Sequence, residues 1–172
     1  MSEKREERVL EMVREVGAPP ERVFRALTAP EELLQWWGRH AEANPPGGKR
    51  GSVLVGARTD PRPGGRYRLD FRMPDGGTAW LEGEYQVLEP PQRIVQTWLA
   101  SSHPGLETVL EFRLEPSPSG TRLTLRHSGL DAMPGAYRDH ELGWIEALGH
   151  LTGWLIAVAG FFSARGAGGT ED

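Results

Sequence analysis

The feature that most constrains the fold is a run of alternating segments in the middle of the chain, followed by one long apolar helix. Tyr67, Leu69, Phe71 and Met73 alternate with charged residues, which predicts a strand with one dry face and one face in water. Similar segments, separated by turns rich in Gly, Pro, Asp and Ser, lie at 79–87, 93–100, 107–115 and 121–128. Consecutive strands joined by short turns predict an antiparallel meander.

A single helical stripe follows the meander, from about Met133 to Phe162. Its positions recur at spacings of three and four, at Tyr137, Glu141, Trp144, Leu148, Leu151, Leu155, Val158 and Phe162. This periodicity predicts an amphipathic helix, and a rise of about 1.5 Å per residue makes it roughly 45 Å long, enough to cross a sheet. The uncharged run at residues 151–164 is shorter than the ~20 residues that a membrane span needs. We therefore expect a buried helix and no membrane association.

The part of the chain before residue 66 is less regular. Residues 9–16 suit either a helix or a strand, and Pro20 fits the first turn of a helix at 21–27. Thr28 then favours a second short helix that ends at Trp36-Trp37-Gly38. Residues 38–65 are rich in Gly, Pro and Arg, with one strand-like island at 52–57, and a loop this long in a compact domain is more often functional than passive.

The order of these elements predicts an α+β fold, an antiparallel sheet with its helices on one face. A twisted sheet wrapped around one helix does not close along its whole length, so we expect a cavity between the sheet, the helix and the long loop. At 172 residues the chain is one domain. We place that domain at 9–163, between a frayed N-terminus at 1–8 and a flexible tail at 164–172.

Composition excludes several classes of function. The net charge is −4, so the protein has no excess of positive charge with which to bind a nucleic acid backbone. The absence of cysteine excludes disulfides, thiolate metal sites and cysteine nucleophiles. The charged segment at 1–8 lacks the apolar core of a signal peptide, so we expect a cytoplasmic protein.

An ordered set of short motifs resembles a known family. The motifs are Ala18-Pro19-Pro20-Glu21-Arg22-Val23-Phe24, Leu27-Thr28, Trp36-Trp37-Gly38, Asp60-Pro61-Arg62-Pro63-Gly64-Gly65-Arg66-Tyr67, Glu82-Gly83-Glu84-Tyr85, Pro91 with Trp98, His127-Ser128-Gly129-Leu130, and His140-Glu141 with Gly143-Trp144. Together they are similar to the activator-of-Hsp90-ATPase-homologue-like branch of the START-like (SRPBCC) superfamily. The resemblance covers about residues 9–160. It implies the helix-grip (START/Bet v 1-like) fold, a curved antiparallel sheet around a long C-terminal helix, with residues 9–16 as the first strand and two short helices after it.

The resemblance implies a ligand-holding cavity more firmly than it implies a reaction. Members of the family include carriers of hydrophobic ligands, polyketide cyclase-like proteins and an Hsp90 co-chaperone domain. Residues 39–50 make a longer and more Pro/Gly-rich connection than the family's usual one. Nothing in the sequence resembles the additional N-terminal domain of the eukaryotic co-chaperone, which argues against direct stimulation of Hsp90.

The candidate ligand-binding residues share an inward position on the predicted elements and are mostly aromatic. The 6 tryptophans supply large amphipathic surfaces that fill a core or line a cavity. The predicted ligand-binding set is Trp36, Trp37, Tyr67, Leu69, Phe71, Tyr85, Trp98, Phe112, His127, Tyr137, His140, Glu141, Trp144 and Leu148.

Three polar members of this set allow two interpretations. His127, His140 and Glu141 can orient a ligand, or they can be buried polar groups satisfied by their neighbours. A zinc-protease helix needs a second histidine four positions after His140, and that position holds Trp144. We therefore predict no metal site.

The main functional hypothesis is a small-molecule binding protein that holds a hydrophobic or aromatic ligand between the sheet and the C-terminal helix, without a cofactor. One alternative is a protein-interaction module of the Hsp90 co-chaperone or stress-response type. A second alternative is a cyclase-like or hydrolase-like enzyme in which at least two of His127, His140 and Glu141 converge. No catalytic residue is assigned, and an exposed strand edge or the long helix is compatible with a homodimer.

Overall fold

A seven-stranded antiparallel sheet forms the body of the protein. The structure is a computed structural model that describes the backbone of residues 8–166 and the side chains of residues 8–159. The strands are β1 (Leu10–Val16), β2 (Val53–Thr59), β3 (Arg66–Arg72), β4 (Thr78–Glu89), β5 (Arg93–Ala100), β6 (Glu107–Ser117) and β7 (Gly120–Ser128). They are ordered β1-β7-β6-β5-β4-β3-β2, which confirms the predicted meander.

The two outer strands come from the less regular part of the chain before residue 66. Residues 9–16 contribute β1, which pairs with β7 so that Leu10 lies opposite His127. The predicted island at 52–57 is the start of β2, which pairs with β3 at the other edge. The predicted limits of the domain stay predictions, since residues 1–7 and 167–172 lie outside the described residues.

Short helices connect β1 to β2. They are α1 (Pro20–Thr28), α2 (Pro30–Leu33), a π-helical turn (Leu34–Arg39) and α3 (His40–Ala43). The prediction that the second helix ends at Trp36-Trp37-Gly38 was wrong, because the helical path continues to Ala43. Gly38 packs closely against the backbone of Leu54, because a Cβ on Gly38 would lie 2.7 Å from the Leu54 carbonyl oxygen. The missing side chain lets this helical segment lie directly against β2.

The long helix α4 (Ala136–Gly166) lies against the concave face of the sheet. Its residues 136–159 are long and apolar enough to cross a membrane. The inner face of α4 nevertheless packs into the protein core, where Trp144, Leu148, Leu151 and Leu155 are buried. The structure thus has the helix-grip architecture that the resemblance implies. Phe162 of the predicted stripe lies beyond the described side chains.

The sheet encloses α4 unevenly. Toward β1 and β7, fully buried leucines such as Leu123, Leu125 and Leu151 fill the space between sheet and helix. Toward β3, β4 and β5, the first turns of α4 and the π-helical turn leave a cavity. The fold therefore places the open part of the interior at one end of the helix.

Candidate functional site

A cavity of about 340 Å³ lies between α4, the central strands and the π-helical turn. Its volume is in the range of natural small-molecule sites. The residues that line it are Trp37, Ser52, Phe71, Met73, Ala79, Trp80, Leu81, Trp98, Ala100, Ser101, Ser102, His103, Asp139, His140, Gly143, Trp144, Glu146 and Ala147. A void of about 20 Å³ lies deeper in the core.

Aromatic rings form the inner wall of the cavity. Trp37 lies edge-on to Phe71 with 5.0 Å between ring centroids, and its centroid is 6.0 Å from that of Trp144. Trp144 in turn lies 5.1 Å from Trp98. Trp37 also stacks on the buried Trp36 at 4.8 Å. Trp36 donates its indole N–H to the carbonyl oxygen of Ala26 at 2.8 Å, which fixes the rings relative to α1.

His127 lies behind this wall in a closed hydrogen-bond network. The indole of Trp144 donates to His127 Nδ1 at 3.0 Å. Because an indole N–H only donates, the proton of the neutral imidazole is on Nε2, and it points at Thr108 Oγ1, 2.7 Å away. The Thr108 hydroxyl in turn donates a hydrogen bond to the carbonyl oxygen of Trp98 at 3.1 Å. Burial, together with the neighbouring His140, lowers the pKa of His127 from 6.5 to about 3, so the ring is neutral.

His140 faces the cavity with both of its nitrogens occupied. Trp98 donates its indole N–H to His140 Nε2 at 3.2 Å, so Nδ1 carries the proton and donates it to the carbonyl oxygen of Ala136 at 2.8 Å. Burial lowers the pKa of His140. The ring therefore contributes an edge to the cavity wall and orients Trp98.

A second polar chain lies at the mouth of the cavity. Asp139 Oδ2 lies 3.0 Å from His103 Nε2, so that nitrogen carries the proton and His103 Nδ1 accepts the hydroxyl hydrogen of Ser102 at 2.8 Å. All three residues line the cavity. Such a chain can move a proton between Ser102 and His103. It was missed in the sequence because residues 101–106 form a turn, where neither strand nor helix periodicity indicates an inward side chain.

The predicted site residues fall into three groups. Those that line the main cavity are Trp37, Phe71, Trp98, His140 and Trp144. Those that line only the smaller void are Trp36, Tyr67, Leu69, Tyr85, Phe112 and Leu148. Those that line neither are His127, Tyr137 and Glu141. A ligand-binding role for any of them stays a prediction.

The predicted convergence of His127, His140 and Glu141 does not occur in the way an acid–base site needs. Glu141 pairs with Arg138 at 2.6 Å, away from the two histidines. The His127 and His140 rings lie 5.1 Å apart, with their nitrogens directed at indole, hydroxyl and backbone groups. Tyr137 lies beneath the guanidinium of Arg8, 3.9 Å from its ring centroid.

Metal ligation has no support in the described part of the chain, where no group of three or more His, Asp or Glu residues has the arrangement to hold an ion. His103, His127 and His140 lie close together, but their nitrogens serve the hydrogen bonds given above. The prediction that no metal or other cofactor takes part stays a prediction.

A family model described as activator of Hsp90 ATPase homolog 1-like protein matches residues 17–155. The chain belongs to this family. The resemblance of the motifs is thereby confirmed, and the match spans both walls of the cavity. No curated protein sequence matches the chain.

Solved structures of bacterial proteins share the fold of this family member. A Rhodobacter sphaeroides protein is 29% identical with a TM-score of 0.69, covering 87% of this chain and 93% of its own. Protein CV1439 from Chromobacterium violaceum is 27% identical with a TM-score of 0.68, covering 86% of this chain and 96% of its own. CalU16 from Micromonospora echinospora, at 23% identity, covers 87% of this chain and 76% of its own with a TM-score of 0.63, and shows the fold alone.

Proposed function

We propose that this protein binds a small hydrophobic or aromatic molecule in the cavity beside α4. The observation that carries the proposal is the cavity itself, about 340 Å³ in volume with the rings of Trp37, Phe71, Trp98 and Trp144 in its wall. Large apolar walls with a few polar groups at one end are typical of ligand sites. Family membership supports the same function, because the fold is of a ligand-binding type.

Gly143 and Gly149 offer a matched pair for testing the proposal. Both lie on α4, and a Cβ on either would meet no atom within 4 Å. Gly143 lines the cavity, whereas Gly149 is exposed on the outer side of the helix. A leucine at Gly143 therefore projects into the cavity, while the same change at Gly149 projects into solvent.

The neutral fluorophore N-phenyl-1-naphthylamine is a suitable probe, because its emission rises on entering an apolar site. We expect the wild type and Gly149→Leu to bind it with equal affinity and Gly143→Leu to bind it at least ~10-fold more weakly, since a side chain occupies the same volume. Thermal unfolding of both variants reports whether the fold is kept. Equal binding by both variants would show that the probe binds elsewhere and would contradict the proposal.

A second candidate function is ester hydrolysis, favoured by the chain from Ser102 through His103 to Asp139. In this reaction Ser102 Oγ attacks the ester carbonyl as its proton moves to His103, which then protonates the leaving alcohol; water releases the acid from the serine. Turnover of p-nitrophenyl butyrate that is abolished in both Ser102→Ala and His103→Gln is the expected result. Turnover that persists in Ser102→Ala removes this candidate.

The cellular location that we propose is the cytoplasm. The burial of Trp144, Leu148, Leu151 and Leu155 against the sheet supports it, since the inner face of α4 is then covered by protein. Fractionation of cells that express the full chain tests it, and recovery with the membrane fraction would contradict it.

A further inference from the structure

Two carboxylates line the same side of the cavity. Asp139 and Glu146 lie seven positions apart on α4, with Gly143 between them, and all three residues line the cavity. Positions spaced by three and four share one face of a helix. The bare Gly143 leaves open space between the two acids, so a ligand can lie along α4 and approach both of them.

Arginine and lysine are absent from the lining of the cavity. Arg68, which lies over the Trp80 ring, pairs with Asp70 and Glu82.

The Glu146 carboxylate has no arginine or lysine partner among the described residues. The distance from Glu146 Oε1 to the nearest histidine nitrogen, His150 Nε2, is 3.9 Å. This distance is too long for a hydrogen bond. Asp139 makes its contact with His103. Among the histidines nearby, His127 and His140 have pKa values lowered by burial, so they do not offset the negative charge of the two acids.

The aromatic rings that line the cavity with these acids are suited to cations. The face of an indole ring is electron-rich and attracts an ammonium group within about 6 Å. Trp37, Trp98 and Trp144 lie with neighbouring centroids 5.1 and 6.0 Å apart. Trp144 lies on α4 with the two acids, while Trp37 and Trp98 lie on the π-helical turn and β5. A ligand in the cavity can therefore contact both indole rings and carboxylates.

We propose that the ligand class of this cavity is an organic ammonium ion with an apolar or aromatic body. This inference rests on the proposed binding function and names its ligand. The apolar body packs against Phe71, Met73 and Leu81, and the cationic head lies close to the tryptophans and to the pair Asp139 and Glu146. An anionic ligand of the same size meets these two like charges in a lining without Lys or Arg.

A matched set of compounds separates charge from shape. Benzyltrimethylammonium and neopentylbenzene differ in one central atom, nitrogen against carbon, and so in charge but hardly in size. Phenylmethanesulfonate supplies the opposite charge. Each compound is titrated against the bound N-phenyl-1-naphthylamine, and the displacement of the fluorophore gives its affinity.

We expect the ammonium compound to bind about 10-fold more tightly than its neutral isostere, an increment typical of a partly desolvated cation over aromatic rings, and the sulfonate to bind most weakly. Asp139→Asn combined with Glu146→Gln should remove most of this preference while leaving the affinity for neopentylbenzene unchanged. Glu115→Gln removes a carboxylate of equal charge from the exposed face of β6 and should leave the preference intact.

Equal affinity of the ammonium compound and its neutral isostere would overturn the ammonium assignment while leaving the binding function in place. A preference that survives in the double variant would also overturn it, because the charges would then come from elsewhere. Failure of the fluorophore to bind the wild type would contradict the binding function itself.

Discussion

Lowering the pH should destabilise the protein through His127. The pKa of this ring is about 3 in the folded chain against an ordinary value of 6.5, because the protonated ring would be buried and would present a second N–H to the indole N–H of Trp144. Between about pH 6.5 and pH 3, His127 binds a proton in the unfolded chain but stays neutral in the folded chain. The stability that the neutral ring contributes is therefore complete above pH 6.5 and is lost as the pH falls toward about 3.

The magnitude follows from the difference between the two pKa values. Each pH unit below 6.5 costs about 1.4 kcal/mol until the folded ring also titrates. At about pH 5 the loss from His127 alone is about 2 kcal/mol, a large fraction of the ~5–15 kcal/mol by which domains are stable. His140 also has a lowered pKa and adds to the acid sensitivity of the wild type.

Urea unfolding at about pH 7.5 and about pH 5 measures this effect. The comparison is with His127→Asn, whose amide oxygen can accept the Trp144 N–H but which does not titrate. Between the two pH values the wild type should lose about 2 kcal/mol more than the variant, and His140, present in both, cancels. Equal losses in the two proteins would show that His127 is not held neutral and would refute the buried network.

Three further substitutions test the packing around the cavity. Trp36→Phe removes the indole N–H that binds the Ala26 carbonyl and should cost about 1–3 kcal/mol in urea unfolding, because that carbonyl is left unpaired; no loss would show that the bond contributes nothing. Gly83→Ala places a Cβ 2.0 Å from the Thr97 carbonyl oxygen, so its melting temperature should fall well below that of the wild type, and an unchanged value would contradict the close approach of β4 to β5. Gly143→Ala should raise stability by up to about 1 kcal/mol in urea, as helix propensity gains without a clash, and a loss would mean that the space beside it is filled.

The sheet and the long helix could be predicted from the sequence because their signals are local. Alternation at Tyr67, Leu69 and Phe71 reports a half-buried strand wherever that strand pairs. Residues 9–16 carried both helix and strand propensity, and only the resemblance to the family indicated a strand. The continuation of the helix past Gly38 could not be predicted, because it depends on the approach of Leu54 from a different part of the chain.

The cavity wall was partly predictable and its polar end was not. The inward side of each strand and of α4 indicated Phe71, Trp98 and Trp144. His127 was also predicted to point inward and is buried. Both of its ring nitrogens form hydrogen bonds with core residues, Thr108 and Trp144, and no sequence pattern reveals these bonds. The turn that carries Ser102 and His103 has no periodicity, so its contact with α4 comes from the three-dimensional structure alone.

The occupancy of the cavity is tested most directly by the indole N–H signals in a nitrogen–proton correlation spectrum, recorded during titration with benzyltrimethylammonium. Trp37, Trp98 and Trp144 line the cavity, whereas Trp154 lies outside it beneath the guanidinium of Arg22. We predict saturable shifts of the signals from the indoles of Trp37, Trp98 and Trp144 and an unmoved signal from Trp154. Saturation that shifts Trp154 and leaves the cavity indoles unmoved would contradict a ligand site in this cavity.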